Sequence, residues 1–167
     1  MPWSCPPVSS IWAVSEVASS DANSQAARDP GQATRSPLVI SVMLIVDDAA
    51  AAMSWYKRAL GAEELWDLGG VAGLELAGAP FFLHEVNPHN PAEDSPSRLG
   101  VTSTRIEVFV DDPDRLIAQA LAAGATPGAA IAERDTPWGK HRQGGFRDPY
   151  GHSWSVGDRS PLQRLSR

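Results

Sequence analysis

One pattern occurs twice in this chain. Ser41-Val42-Met43-Leu44-Ile45-Val46-Asp47-Asp48 is repeated in shape by Arg105-Ile106-Glu107-Val108-Phe109-Val110-Asp111-Asp112, so position 41 reappears at 105. Each is a β-branched run of strand length closed by paired aspartates. A helix pattern follows both. Asp48 is a good N-cap for Ala49 to Leu60, where Ala49, Met53, Tyr56 and Leu60 recur at helical spacing and Gly61 ends the segment. Pro113 falls at the first turn of the second helix, whose apolar stripe is Leu116, Ile117, Ala120 and Leu121, and Gly124-Ala125 echoes Gly61-Ala62.

Three short strands are predicted after each helix. In the first half they are Glu63 to Leu68, Val71 to Leu76 and Pro80 to Val86, parted by Gly69-Gly70 and Ala77-Gly78-Ala79. In the second they are Ala129 to Arg134, His141 to Arg147 and His152 to Val156. A βαβββ half leaves one sheet face uncovered and needs a second half. The expected fold is therefore α+β: two βαβββ modules, residues 38–86 and 102–157, in a curved eight-stranded mixed sheet with a concave cleft and the helices outside. Residues 87–101 hold three prolines and are expected to form an exposed linker. Residues 1–37 lack any sustained period and read as a flexible tail, with Trp3 and Trp12 leaving a docking role open; 158–167 form a C-terminal tail.

Asp148-Pro149-Tyr150-Gly151 combines an Asx acceptor, a fixed φ and a glycine, which describes a tight turn. In the strand after it, alternation places Trp154 and Val156 on a core face and Ser153 and Ser155 on the other.

Composition excludes several functions. A net charge of −6 with no Lys/Arg cluster argues against a nucleic-acid partner, and a cleft in an acidic protein would favour neutral or cationic small molecules. The single cysteine, Cys5, excludes an internal disulfide. No stretch approaches the ~20 apolar residues of a membrane span, and no signal-peptide pattern is present. A cytoplasmic protein with no membrane partner is expected.

Leu44-Ile45-Val46-Asp47-Asp48 followed by Trp55-Tyr56-Lys57-Arg58-Ala59-Leu60-Gly61-Ala62, together with Asp148-Pro149-Tyr150-Gly151-His152-Ser153-Trp154, resembles the vicinal oxygen chelate superfamily of glyoxalases, extradiol dioxygenases, fosfomycin-modifying enzymes and bleomycin-binding proteins. With Pro137-Trp138-Gly139 upstream, the second motif is most similar to the PhnB-like branch. The resemblance implies a divalent metal in the enzymatic members, held by four side chains whose positions here are Ser41, His84, Arg105 and Ser155. A one-residue slip would exchange His84 for Glu85. Serines are poor ligands for such ions and a guanidinium repels them, so no metal or other cofactor is expected. The resemblance also implies a homodimer.

Arg105 and Glu107 stand two apart on a strand and share a face. Either they grip a polar ligand, Arg105 on a carboxylate or phosphate and Glu107 on an ammonium, or they form an internal ion pair. His84 is open to roles as base, ligand or cavity histidine. Trp66, Phe82 and Trp138 either wall the cleft or pack in the core. His141, between Lys140 and Arg142, is expected in solvent, and His152 in a structural hydrogen bond. The candidate ligand-binding set is thus Ser41, Trp66, Phe82, His84, Arg105, Glu107, Trp138, Ser153 and Ser155. It favours metal-free binding of a small organic ligand, in the manner of drug sequestration. Two alternatives stay open: a lyase, isomerase or dioxygenase using a rearranged site with His84 and Glu107, and an interaction module that binds no ligand.

Overall fold

The structure, a computed structural model, describes residues 40–162. The expectations for residues 1–37, Cys5, Trp3 and Trp12 included, for the first two residues of the first module, and for 163–167 lie outside the described residues. Strand β1 (Val42–Val46) leads into helix α1 (Ala49–Leu60), followed by β2 (Glu63–Asp67), β3 (Val71–Leu76) and β4 (Ala79–Glu85). A short helix α2 (Pro96–Leu99) precedes β5 (Arg105–Phe109), helix α3 (Pro113–Ala122), β6 (Thr126–Pro127), β7 (Ala132–Thr136), β8 (Gly139–Arg147) and β9 (Ser153–Gly157).

The helix signals act as read. Asp48 accepts from the Ala51 N–H at 2.8 Å and Asp112 from the Arg115 N–H at 3.0 Å, each satisfying a donor the helix cannot. Gly61 closes α1 at φ +73°, where a glycine is favoured.

The strands form an α+β fold of two mixed sheets, ordered β1-β4-β3-β2 and β5-β9-β8-β6, with β7 also on β8. Neither sheet closes into a barrel, and the parallel pairs β1/β4 and β5/β9 occupy matching positions in the two. Among the described residues there are nine strands where eight were read. The strand expected at Ala129 to Arg134 is replaced by β6 and β7, because Pro127 has no N–H to continue a ladder and Gly128 and Ala129 both bond to Gly145 before pairing resumes at Ala132.

Each sheet turns one face to a shared core. Leu44, Val46, Ala72, Leu74, Phe81 and Leu83 of the first meet Phe146, Trp154 and Val156 of the second, with Trp55, Tyr56, Ala59 and Leu60 of α1 among them. The halves are also joined by polar ties: the Trp55 indole donates to Ala123 O at 2.8 Å, the Gln119 amide to Arg58 O at 3.1 Å, and His152 Nε2 lies 3.0 Å from Ile45 O. The structural hydrogen bond expected of His152 is that last contact.

The segment read as an exposed linker is exposed over most of its length and is anchored at one point. Ser95 is fully buried and bonds to Asp47 at 3.0 Å, Ser97 bonds to the other Asp47 oxygen at 2.8 Å, and the Ser97 N–H donates to Tyr150 O at 2.9 Å. The second aspartate-strand junction has no such duty, so the two repeats differ here.

Candidate functional site

With one face of each sheet committed to the core, alternation sends the remaining side chains to an open face. On the first sheet these are Met43, Ile45, Phe82 and His84, with Ser41 exposed just ahead of β1. Trp66 reaches the same face through a bulge between Glu64 and Trp66, which sets Trp66 opposite Gly73; unbroken pairing from Glu64 would set it opposite the core residue Ala72. Its ring lies across Gly73, where a methyl would stand 2.5 Å away, and its centroid is 5.5 Å from that of Phe82. Glu85 turns to the other side and accepts the Ala49 N–H at 3.0 Å, at the head of α1. His84 Nδ1 is spent on Glu85 O at 2.5 Å.

The pairing register corrects one assignment. Met43 lies opposite Phe82 as Glu107 lies opposite Ser155, so the position matching Ser155 in the first half is Phe82, whereas His84 matches Gly157. The four side chains implied as metal positions are then Ser41, Phe82, Arg105 and Ser155, among which no metal donor of useful strength stands. No three His, Cys, Asp or Glu side chains converge among the described residues. The donor set does not fit the metal of the enzymatic relatives.

On the second sheet the open face carries Arg105, Glu107, Phe109, His141, Gln143, Gly145, Ser153 and Ser155. Arg105 is ion-paired to Glu107 and both reach solvent. Above Gly145, which pairs with Ser155, is a hollow of about 420 Å³ lined by Arg105, Arg134, Gln143, Ser153 and Ser155. Glycine is needed there, since a methyl on Gly145 would stand 2.4 Å from Trp154 O. A second hollow of about 280 Å³ shares Arg105, Arg134 and Gln143 and adds Glu107, Phe109 and Trp138. No residue of the first sheet lines either one. The structure thus brings together Arg105, Glu107, Trp138, Ser153 and Ser155, and leaves Ser41, Trp66, Phe82 and His84 on the other sheet.

His141 is not solvated as expected. It is 3% exposed, its ring stands over Gly157 and beside Phe109 and Trp138, and its Nδ1 lies 3.0 Å from Asp158 Oδ1. Burial alone would push the Asp158 carboxyl up, but the Arg142 N–H and the His141 ring hold it below its ordinary value. Arg134, Gln143 and Phe109 were not singled out in the sequence. Pairing β8 against the Ser155 face would have found Gln143; Arg134 needed the register of β7, which the sequence leaves weak.

The Asp148 turn carries more than a turn. Its Oδ1 accepts from the Tyr150 and His152 N–H groups at 3.0 and 2.9 Å, and its Oδ2 from the Tyr56 hydroxyl at 2.6 Å and the Trp154 indole at 2.8 Å. A third cavity, about 650 Å³, lies between the core faces at Val42, Leu44, Phe81, Ile106, Val108 and Leu116. It is the largest of the three and mostly apolar, its polar members being Glu63, Glu107 and Ser160, whereas the hollow at Arg105 gathers two guanidinium groups, an amide and two hydroxyls.

These observations define a protein of two repeated halves, each a strand, a helix and further strands, with polar side chains gathered on the open face of the second sheet. The chain belongs to the glyoxalase-like domain family, whose model matches residues 41–157, and so to the vicinal oxygen chelate superfamily. It is 37% identical over 126 residues to the uncharacterized proteins Mb0911c of Mycobacterium bovis and Rv0887c of Mycobacterium tuberculosis, covering 71% of this chain and 81% and 72% of those proteins. Among solved structures it is similar to TioX of Micromonospora sp. ML1 (TM-score 0.57, 25% identity, 74% of this chain and 100% of that one). It also shares its fold with the fosfomycin resistance protein FosX of Mesorhizobium loti (TM-score 0.56, 15% identity, 79% and 100%). These matches stop at the superfamily and do not reach the PhnB-like branch.

Proposed function

We propose that this chain binds a small organic molecule in the hollow on the open face of its second sheet, without a metal ion, and sequesters it rather than converting it. One observation carries the reading: Arg134, Gln143, Ser153 and Ser155 line one cavity, and none has a side-chain hydrogen bond or ion pair to another described residue. Polar groups that the fold leaves unused at a shared cavity are what a ligand would engage. The enzyme alternative asks His84 and Glu107 to act together. They sit on different sheets with no common cavity.

A homodimer belongs to the same reading, supported by the apolar open face of the first sheet, where Met43 is 49% and Trp66 37% exposed. A second copy is the occupant proposed for that face.

The test is a thermal-shift screen of small organic acids, amines and neutral aromatics on the full chain with chelator present, followed by mass spectrometry of any stabilising compound after incubation. The reading expects at least one compound to raise the melting temperature and to be recovered intact. Conversion of the compound, or no stabilisation by any compound, contradicts it.

A further inference from the structure

We infer that the hollow takes a small aromatic carboxylate; the inference rests on the binding reading above and names the ligand's chemistry. What the lining of the hollow lacks is a charged acceptor: it holds two guanidinium groups and no carboxylate. The carboxylate of the second hollow, Glu107, is already engaged by Arg105. The Arg134 guanidinium is a pure donor with no ion-pair or hydrogen-bond partner among the described residues, and Trp138, on the wall of the second hollow, has a buried Nε1 donor with none. The hydroxyls of Ser153 and Ser155 and the Gln143 amide can also donate. Arg134 and Trp138 can be satisfied only by acceptors, and the hydroxyls and the amide can join them as donors, so a ligand rich in acceptor oxygens suits this set.

Charge points the same way. Arg105 and Arg134 stand against Glu107 alone, leaving one positive charge over, and Arg147, opposite Ser153, adds another guanidinium on that face. The expectation from the acidic chain as a whole, that a cleft would favour neutral or cationic molecules, is reversed locally. A guanidinium presents a planar fork that meets both oxygens of a carboxylate at once. The flat part of the ligand has its own place, because the adjoining hollow shares Arg105, Arg134 and Gln143 with the first and is walled by Phe109, Trp138 and Pro161. Stacking there would hold a ring while the carboxylate reaches Arg134.

The experiment is calorimetric titration of the full chain, in low-salt buffer with chelator, with sodium benzoate, benzamide and benzamidine, which share a ring and differ in charge. Benzoate should bind, and the neutral and cationic analogues should bind roughly tenfold more weakly or not at all. Arg134→Gln removes a side chain with no protein partner, so the melting temperature should hold while benzoate affinity falls roughly tenfold. Equal binding of benzamide and benzoate, or undiminished benzoate binding by Arg134→Gln, overturns the carboxylate assignment. If benzoate fails at millimolar concentration while another compound of the screen binds and is lost in Trp138→Ala, the carboxylate is wrong and the binding reading stands. If nothing of any charge binds, both fall.

Discussion

Asp148 shows how much one side chain can organise. Four donors converge on its two oxygens, two from the backbone of its own turn, one from α1 and one from β9, so the carboxylate ties the last turn to the first helix. Replacing it by alanine strands four donors, three of them buried, and Asp148→Ala should cost about 3–5 kcal/mol in urea unfolding. Tyr56→Phe removes one donor and leaves three, and should cost about 1–3 kcal/mol. Burial, and then the neighbouring carboxylate, push the Tyr56 phenol well above its ordinary value of 10.0. An unfolded phenol loses its proton near pH 10 while the native one keeps it, so this contribution is intact below about pH 10 and is lost as the pH rises above it. Tyr56→Phe should flatten that alkaline loss. An unchanged alkaline profile, or Tyr56→Phe costing as much as Asp148→Ala, would show that the hub does not act as described. The sequence disclosed the turn through Asp-Pro-Tyr-Gly and placed Tyr56 and Trp154 in the core; that their polar atoms meet on one carboxylate depends on packing between segments 92 residues apart, which no local pattern encodes.

At the level of elements, legibility follows the range of the interaction that decides each feature. Capped helices and the strands of the first half were readable because Asp48, Gly61 and alternation act within a few residues. The fate of Trp66 was not: a bulge in β2 moves it from the core face to the open face, and only pairing with β3 reveals it. The segment around Thr126 to Thr136 was misread for a similar reason, its β7 being polar and exposed and held by β8 alone. The open face that Trp66 helps to build is the proposed contact between copies. Light scattering of the native chain should return twice its 17.8 kDa, and Met43→Glu combined with Trp66→Glu, both at exposed positions, should return one chain with the circular dichroism unchanged. A monomeric native chain, or a dimer indifferent to the two charges, would contradict this use of the face.

Across the whole molecule the repeat was the legible part and the site only half so. The internal echo of position 41 at 105 fixed the module plan. It also placed Arg105, Glu107, Ser153 and Ser155 on one face, because alternation along β5 and β9 decides that. It could not show that the halves meet through their helices and core faces, so that Trp66, Phe82 and His84 stand away from Arg105 within one chain. Nor could it show that Phe82 rather than His84 occupies the position matching Ser155, which rests on strand register. Where the resemblance implies metal ligands, this chain places a guanidinium, two hydroxyls and a phenyl ring. The most direct test is metal content by mass spectrometry after dialysis of the full chain against Ni²⁺, Zn²⁺, Mn²⁺ or Fe²⁺ and removal of free ion. The account predicts no stoichiometric retention of any of them, and the same result for His84→Ala. One ion retained per native chain and lost in His84→Ala would contradict it and return the site to metal chemistry.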